Sequence, residues 1–202
     1  MPLTRRDLLA ALAGLPALAL LAPGRAGAVT PEAAERFVSE IIDRLTELVR
    51  SDLSPQEQAM RFRDIFVDTA ALDQIVRFVM GIAWREMSDD QRERFETAFL
   101  DYVGRVYARL LLDYEGQTLE VTGSQDFGDK GVLVSAVVRG EGYEGTVSEW
   151  LVSDRGGDGP KLIDITAEGI SLLRTQRQEF AAMLDKRNGD VDRFIEDLKT
   201  AG

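Results

Sequence analysis

The chain has 202 residues, lacks cysteine and histidine, and carries 24 basic against 35 acidic side chains, a net charge of −11. The missing residue types exclude disulfides, thiol nucleophiles, histidine general bases and the usual zinc and copper ligands. The negative charge argues against binding to nucleic acid or to an anionic membrane surface by charge alone.

Residues 1–28 have the pattern of an export signal that is cleaved. Arg5 and Arg6 precede an apolar run that is short for a membrane anchor, and Ala26-Gly27-Ala28 has the small residues of a signal peptidase site. The arginine pair favours the twin-arginine route, with the general secretory route as the alternative. Cleavage leaves 21 basic and 34 acidic side chains, a charge of −13. We expect residues 29–202 to form a single periplasmic domain.

The first part of the mature chain, residues 31–114, is predicted to be helical. Apolar positions three or four apart begin after Pro31, and the sequences Ser54–Glu57 and Ser88–Gln91 match capping boxes that start further helices. Gly81 is placed to end the helix between these two boxes. The second box opens a long helix that we expect to continue to about Tyr114.

Residues 117–166 change to strand patterns. Four runs rich in β-branched residues are separated by glycine and aspartate turns, which predicts an antiparallel sheet of about four strands. Helical patterns return over residues 171–200, with a break at Asn188-Gly189. The order helices, sheet, helices predicts an α+β fold in which helices pack on one face of a curved sheet.

Two local patterns could carry chemistry. The sequence GEGYEG, Gly140–Gly145, has the glycine spacing of a dinucleotide-binding loop, but the strand pattern after it cannot supply the helix N-terminus that a phosphate needs. Asp164 lies in an apolar strand and could act as a general base if it faced a cavity. The simpler interpretation is that Asp164 faces outward from the strand, or is bonded to nearby backbone or to an arginine such as Arg174 or Arg177. The sequence therefore shows no nucleotide site and no clear catalytic group.

Two longer segments contain an ordered set of motifs. In residues 78–114, Gly81 is followed at the third position by Trp84 and Arg85, then by a capping box, a Gln-Arg pair and spaced phenylalanines. In residues 162–184, Asp164 precedes a Glu-Gly-Ile-Ser turn at residues 168–171, which is followed by Arg177 and Phe180. This order and spacing resemble the MlaC family, also called the toluene-tolerance auxiliary component family. The likeness extends over about residues 33–198.

The resemblance implies a periplasmic carrier of glycerophospholipid that holds acyl chains in an apolar cavity. The implied fold joins a nuclear-transport-factor-like sheet to a helical subdomain. The implied partners are an inner-membrane ABC transporter complex, through its substrate-capturing ring protein, and an outer-membrane complex of a lipoprotein with porins. We expect a monomer without a cofactor and without enzymatic activity. A sister branch of the family is associated with hopanoids, so other lipid cargo stays open.

Apolar stripes on the helices and alternating positions on the strands supply the expected cavity lining. The predicted lining residues are Phe66, Leu72, Ile75, Val79, Phe99, Val103, Tyr107, Val134, Val138, Trp150 and Val152. Trp84 is interpreted as an indole wedged between helices, and Arg85 as a side chain that ties a loop to a carboxylate. Two alternatives remain open: an isomerase or lyase that uses Asp164 as base beside a tyrosine, and a structural adaptor with a solid core.

Overall fold

The computed structural model describes residues 29–111, 116–140 and 145–201, so the predicted export signal and the predicted helix end at Tyr114 lie outside the described residues. None of the helices in these ranges is both long enough and apolar enough to cross a bilayer. The elements are α1 (Pro31–Val49), α2 (Pro55–Thr69), α3 (Leu72–Met80), α4 (Ala83–Glu86), α5 (Asp89–Leu111), β1 (Thr118–Asp126), β2 (Val132–Arg139), β3 (Thr146–Ser153), β4 (Lys161–Ala167), β5 (Ile170–Ser171), α6 (Leu172–Lys186) and α7 (Val191–Thr200).

Side-chain caps fix the start of α2 and of α5. The backbone N–H of Glu57 donates to Ser54 Oγ at 3.3 Å, and the N–H of Ser54 donates back to Glu57 Oε2 at 2.9 Å. The same exchange joins Ser88 and Gln91, at 3.1 and 3.2 Å. Both predicted capping boxes are thus confirmed, and each satisfies two N–H groups that a helix N-terminus leaves without a partner.

The sheet is an antiparallel meander in the order β1-β2-β3-β4-β5. The predicted α+β class is confirmed, and the sheet has a fifth strand beyond the four expected. β5 has two residues. Glu168 and Gly169 before it both take positive φ (51° and 80°) and reverse the chain direction, so that Ile170 pairs with Ala167. Positive φ at both central residues is typical of a tight hairpin turn. The Glu-Gly-Ile-Ser motif therefore forms this hairpin and leads directly into α6.

The glycine-rich segment GEGYEG joins two strands. β2 and β3, on either side of it, pair antiparallel with Val138 opposite Thr146. Residues 141–144 lie outside the described residues, but β3 and not a helix follows Gly145, so no helix N-terminus stands after the motif to bind a phosphate. The interpretation that this motif is not a dinucleotide site is confirmed.

The buried apolar side chains form two separate clusters. The helical cluster belongs mainly to α3, α5, α6 and α7, and its centre consists of Phe95, Phe99, Phe180 and Phe194, whose neighbouring ring centroids lie 5.4–6.1 Å apart. The sheet cluster joins α1 to β2, β3 and β4. α2 packs against both α1 and α5 and so lies between the two. The fold therefore has two cores with a boundary between them.

Trp84 and Arg85 of the first family segment have different surroundings. Trp84 is half-buried and packs edge-on against Phe95 at 6.2 Å between ring centroids, which agrees with the expected wedge. Arg85 is exposed and forms no ion pair with any described residue, so its predicted role as a tie is wrong. Arg92 makes that tie, because its guanidinium donates to the Trp84 carbonyl at 3.1 and 3.2 Å and to the Asp89 carboxylate at 3.0 Å.

Candidate functional site

An apolar cavity of about 120 Å³ lies where the helical cluster meets the sheet cluster. α3 and α5 supply one wall, through Ile75, Val79 and Phe99, and Trp150 and Leu162 supply the facing wall from β3 and β4. Side chains of α1, α2 and α6 supply the rest of the lining. The side chains of each cluster pack mainly against one another. They do not interdigitate with those of the other cluster along the boundary, and this leaves the space unfilled.

Seven of the eleven predicted lining residues lie on this cavity: Phe66, Ile75, Val79, Phe99, Val103, Tyr107 and Trp150. Whether they contact lipid stays a prediction. The other four need correction. Leu72 is half-buried against the helical cluster and does not line the cavity. Val134 and Val152 are fully buried in the sheet cluster, and Val138 is half-buried further along β2. Strand alternation indicated the correct sheet face, since Val134 pairs with Trp150. However, α1 packs across β1 and β2 and covers that part of the face.

Several lining residues were not predicted from the sequence. Ile41 and Leu45 of α1 are four residues apart, and Phe62 and Ile65 of α2 are three apart, so each pair lies on one helix side. This spacing was a visible signal for buried faces. It could not show that these faces meet a cavity, because that depends on how α1 and α2 stand relative to the sheet. The remaining unpredicted residues are Thr69, Leu162, Ile163, Asp164, Ile165, Leu172, Leu173 and Gln176.

The polar groups of two buried wall residues are bonded within the protein. Thr69 Oγ1 donates to the carbonyl of Ile65 in its own helix at 2.7 Å. The indole N–H of Trp150 donates to Ser148 Oγ at 3.0 Å. Both hydrogen bonds turn the polar atom toward the protein, so these side chains offer carbon to the cavity.

Asp164 is also satisfied by neighbouring groups. Ser171 Oγ donates to one of its carboxylate oxygens at 2.6 Å, and the backbone N–H of Leu173 donates to the other at 3.0 Å. The carboxylate thereby stabilises the first turn of α6, where free N–H groups and the helix dipole favour a negative charge. The interpretation that Asp164 is bonded to nearby backbone is confirmed, and no hydrogen bond joins it to Arg174 or Arg177 in the described part of the chain.

A tyrosine and glutamine network lies at the α5–α6 side of the cavity. Gln176, which is buried, donates through Nε2 to the hydroxyl of Tyr102 at 3.3 Å and to a carboxylate oxygen of Glu179 at 3.2 Å, and the Tyr107 hydroxyl donates to its Oε1 at 3.5 Å. Burial raises the pKa of Tyr107 to about 12, so the phenol stays neutral at physiological pH. With these bonds made, the accessible wall of the cavity is almost entirely carbon.

The size of the cavity decides what it can hold without rearrangement. A cavity of about 150 Å³ in a packed core accepts a guest of the size of benzene. At about 120 Å³, this one accepts a short hydrocarbon segment. A larger apolar ligand requires the two cores to move apart along their boundary. In the described ranges no group of three aspartate, glutamate, histidine or cysteine residues is placed to hold a metal ion.

Two curated proteins are similar in sequence. The intermembrane phospholipid transport system binding protein MlaC of Haemophilus influenzae is 23% identical over 117 residues, which cover 56% of this chain and 54% of that protein. The toluene tolerance protein ttg2D of Pseudomonas putida is 24% identical over 127 residues, which cover 61% of this chain and 58% of that protein. The matched part thus spans little more than half of the length of each relative.

A solved structure has the same fold. It is a phospholipid-binding protein from Ralstonia solanacearum in complex with a phospholipid, with a TM-score of 0.70, 22% identity, and coverage of 83% of this chain and 95% of that one. The sequence profile described as "MlaC protein" matches residues 35–200. That match takes in both segments with the ordered motifs, all five strands and both walls of the cavity, and on this evidence the chain belongs to the MlaC family.

Proposed function

We propose that this chain is a periplasmic lipid carrier that shelters the acyl chains of a phospholipid in the cavity between its two cores. The observation that carries the proposal is the wall, which exposes almost only carbon although five polar side chains belong to it. Support comes from the Haemophilus influenzae relative, named for phospholipid transport, and from the fold neighbour that contains a phospholipid.

The energetics of lipid transfer explain why such a wall is useful. Exposing two acyl chains with about thirty methylenes to water would cost on the order of 20 kcal/mol, at about 0.8 kcal/mol per methylene. A carrier must therefore cover the tails throughout transfer. A carbon wall without hydrogen-bonding anchors holds the tails about as well as a bilayer interior does, so the lipid can leave again.

Lipid loading requires the cavity to widen. The space of about 120 Å³ is far smaller than two full acyl chains need. The two cores are packed separately, so their separation opens the cavity and leaves the four-phenylalanine centre of the helical cluster intact. The cost of separation is offset by the tail surface that becomes buried.

The carrier would exchange lipid between an inner-membrane ABC transporter complex and an outer-membrane complex of a lipoprotein with porins. This part of the proposal follows from the family resemblance. Export through the twin-arginine route is tested by replacing Arg5 and Arg6 with lysine and measuring the protein in the periplasmic fraction. Loss of the periplasmic protein supports that route, and unchanged export supports the general secretory route.

The isomerase or lyase alternative has less support from the site. Both carboxylate oxygens of Asp164, the candidate base, accept hydrogen bonds from α6 and its cap. The neighbouring Tyr107 is held neutral by burial. A base must face its substrate within hydrogen-bonding distance, and this carboxylate faces the protein.

Native mass spectrometry of the protein purified from the periplasm tests the proposal. The wild-type protein is expected to carry a phospholipid, and the mass of the lipid distinguishes phospholipid from hopanoid cargo. Val103→Glu places a charge on the cavity wall and should abolish lipid binding. Val67→Glu is the matched control, because Val67 is a helical valine that is 42% exposed and lies off the cavity.

The outcome against the proposal is equally specific. A wild-type protein that carries no lipid after native purification would contradict it. Lipid retained at the wild-type level in Val103→Glu, with the variant folded by circular dichroism, would show that the lipid binds elsewhere.

A further inference from the structure

The outer sides of α3, α4 and α6 form an exposed surface that combines apolar and cationic side chains. Phe78, Ile82, Arg85, Arg174 and Arg177 make up this surface, which we name the arginine patch. Ile82 is 73% exposed and Phe78 is 36% exposed, both high values for large apolar side chains. The guanidinium of Arg177 lies 4.9 Å from the centre of the Phe78 ring and so joins α6 to α3 at the surface.

Helix geometry places pairs of these side chains close together. The N–H of Arg85 donates to the carbonyl of Ile82 at 3.0 Å, so the two lie on the same helical turn. Arg174 and Arg177 are three residues apart on α6, which puts them on one face. α3 packs against α6, and the Arg177 guanidinium lies over Gly81 at the end of α3, where a Cβ would approach Nη2 to 2.9 Å. The patch therefore joins α3 to α6 through Phe78 and Arg177, and Ile82 and Arg85 follow directly after Gly81 in the chain.

The three arginines of the patch are not engaged in ion pairs within the described part of the chain. None of them forms an ion pair with a described residue, whereas Arg44 and Arg63 are paired with aspartates at 2.8 and 2.6 Å. The mature chain has a net charge of −13, so a local group of free guanidiniums is opposite in sign to the molecule as a whole. Arginine next to exposed apolar side chains is the composition typical of protein interface centres.

The patch lies on the outside of helices that form the cavity wall. Ile75 and Val79 of α3, and Leu173 and Gln176 of α6, line the cavity from within. A molecule bound to the patch thus contacts both helices from their outer sides. Binding at this surface can act on the spacing of α3 and α6 without touching the lipid.

We propose that the arginine patch docks an acidic segment of a partner protein. Guanidiniums bind carboxylates with two parallel hydrogen bonds, and Phe78 and Ile82 supply apolar contact between them. A partner that presents a local acidic cluster interacts with the patch alone, since charges beyond about 8 Å are largely screened at physiological salt. A flat anionic bilayer also faces the rest of a chain whose net charge is negative and is repelled by it, so a protein is the favoured partner. The inference extends the proposed function, because docking serves lipid exchange.

Site-specific photo-crosslinking in cells of the source organism tests the docking surface. The full-length exported protein carries a photoreactive amino acid in place of Ile82, and a second protein carries it in place of Met60, an exposed α2 residue outside the patch that is the matched control. We expect a protein crosslink from position 82 only, to a peptide that contains several carboxylates. Arg85→Glu with Arg174→Glu should lower the crosslink yield about tenfold, since like charges then oppose each other. Arg177 is kept, because it packs on Phe78 and Gly81.

A charge swap completes the test. The carboxylate residues of the crosslinked partner peptide are replaced by lysines. The crosslink yield of the double glutamate variant with this altered partner should return to the wild-type level. Four results would each overturn the inference: no crosslink above that at position 60, a crosslink to phospholipid, a crosslink to a second copy of the chain, or a yield that the double variant leaves unchanged.

Lipid content separates this inference from the proposed function. The double glutamate variant should keep the wild-type lipid content by native mass spectrometry, because neither residue lines the cavity. A wild-type protein without lipid would contradict the proposed function while the crosslinking result still decides the role of the patch.

Discussion

Filling the cavity is expected to stabilise the lipid-free protein and to remove its lipid. Val103 lies on the cavity wall in α5 and is 3% exposed. In Val103→Phe, the larger side chain can extend into empty space and need not displace packed atoms. The same ring then occupies volume that acyl chains need, so one substitution should change stability and lipid content in opposite directions.

The magnitude follows from the cavity volume. An unfilled core cavity costs about 24 cal/mol per Å³, so 120 Å³ corresponds to about 3 kcal/mol of unrealised stability. One added ring fills part of this space, which gives a gain of about 1 kcal/mol. For a domain of this size, that gain raises the melting temperature by about 2–4 °C. Such a gain at the expense of binding is typical of sites that are kept open for a ligand.

Thermal unfolding followed by circular dichroism measures the change in melting temperature. The protein for this measurement is first freed of lipid by extraction under denaturing conditions and then refolded. Native mass spectrometry measures the lipid content of protein that is purified with its lipid. Val67→Phe is the control, because Val67 is exposed on α2 and its enlargement changes neither the core nor the cavity. Wild-type lipid content in Val103→Phe would refute the reasoning whatever the melting temperature does.

Further predictions concern the cap, the buried phenol and the end of α3. Asp164→Ala removes the acceptor of two hydrogen bonds and should lower the free energy of unfolding in urea by about 1–3 kcal/mol; no loss would show that the carboxylate does not stabilise α6. The pKa of Tyr107 is raised from 10 to about 12, so the unfolded chain loses this proton at lower pH than the folded protein does. The free energy of unfolding should therefore fall between about pH 10 and 12, and a fall of the same size in Tyr107→Phe would contradict this assignment. Gly81→Ala should cost about 1–3 kcal/mol, because φ is 57° and the new Cβ lies 2.9 Å from Arg177 Nη2, whereas Gly156→Ala, without positive φ, should cost less than 1 kcal/mol.

The secondary structure could be predicted well where local chemistry determines it. The capping boxes at Ser54 and Ser88 specify helix starts within four residues of sequence, and Gly81 ends α3 through a backbone conformation that suits glycine. The fifth strand was not predicted, because two residues show no alternation. Its signal was the adjacent Glu168-Gly169 turn, which takes positive φ at both positions.

The cavity was harder to predict, because it is a property of how distant elements pack. Helical stripes identified Phe99 and Val103 as inward-facing, and they line the space. Strand alternation identified the inward face of Val134 and Val152 equally well, but both are buried in the sheet cluster together with side chains of α1. The sequence pattern gives the direction of a side chain and not the element that lies opposite. A cavity is a small difference between the volume that two cores enclose and the volume that their side chains fill.

In the two family segments, too, the sequence predicts the burial of a residue better than it predicts the partner of its side chain. Trp84 packs against Phe95 as expected from its size and apolar character. Arg85 was expected to reach a carboxylate, but Arg92, one helical turn into α5, makes the tie. A charged residue next to a loop has several acidic side chains within reach in an acid-rich chain. Which pair forms depends on how α4 and α5 pack, and Arg85 is left exposed without an ion pair in the described part of the chain.

Photolabelling with a phosphatidylcholine that carries a diazirine at the end of one acyl chain tests the central claim most directly. If the cavity shelters the tails, the label should appear in peptides of α3 and α5 that contain Val79, Phe99 or Val103, and Val103→Phe should abolish it. Labelling confined to exposed residues such as Ile82 or Met60, or labelling unchanged by Val103→Phe, would contradict the claim that the tails lie between the two cores.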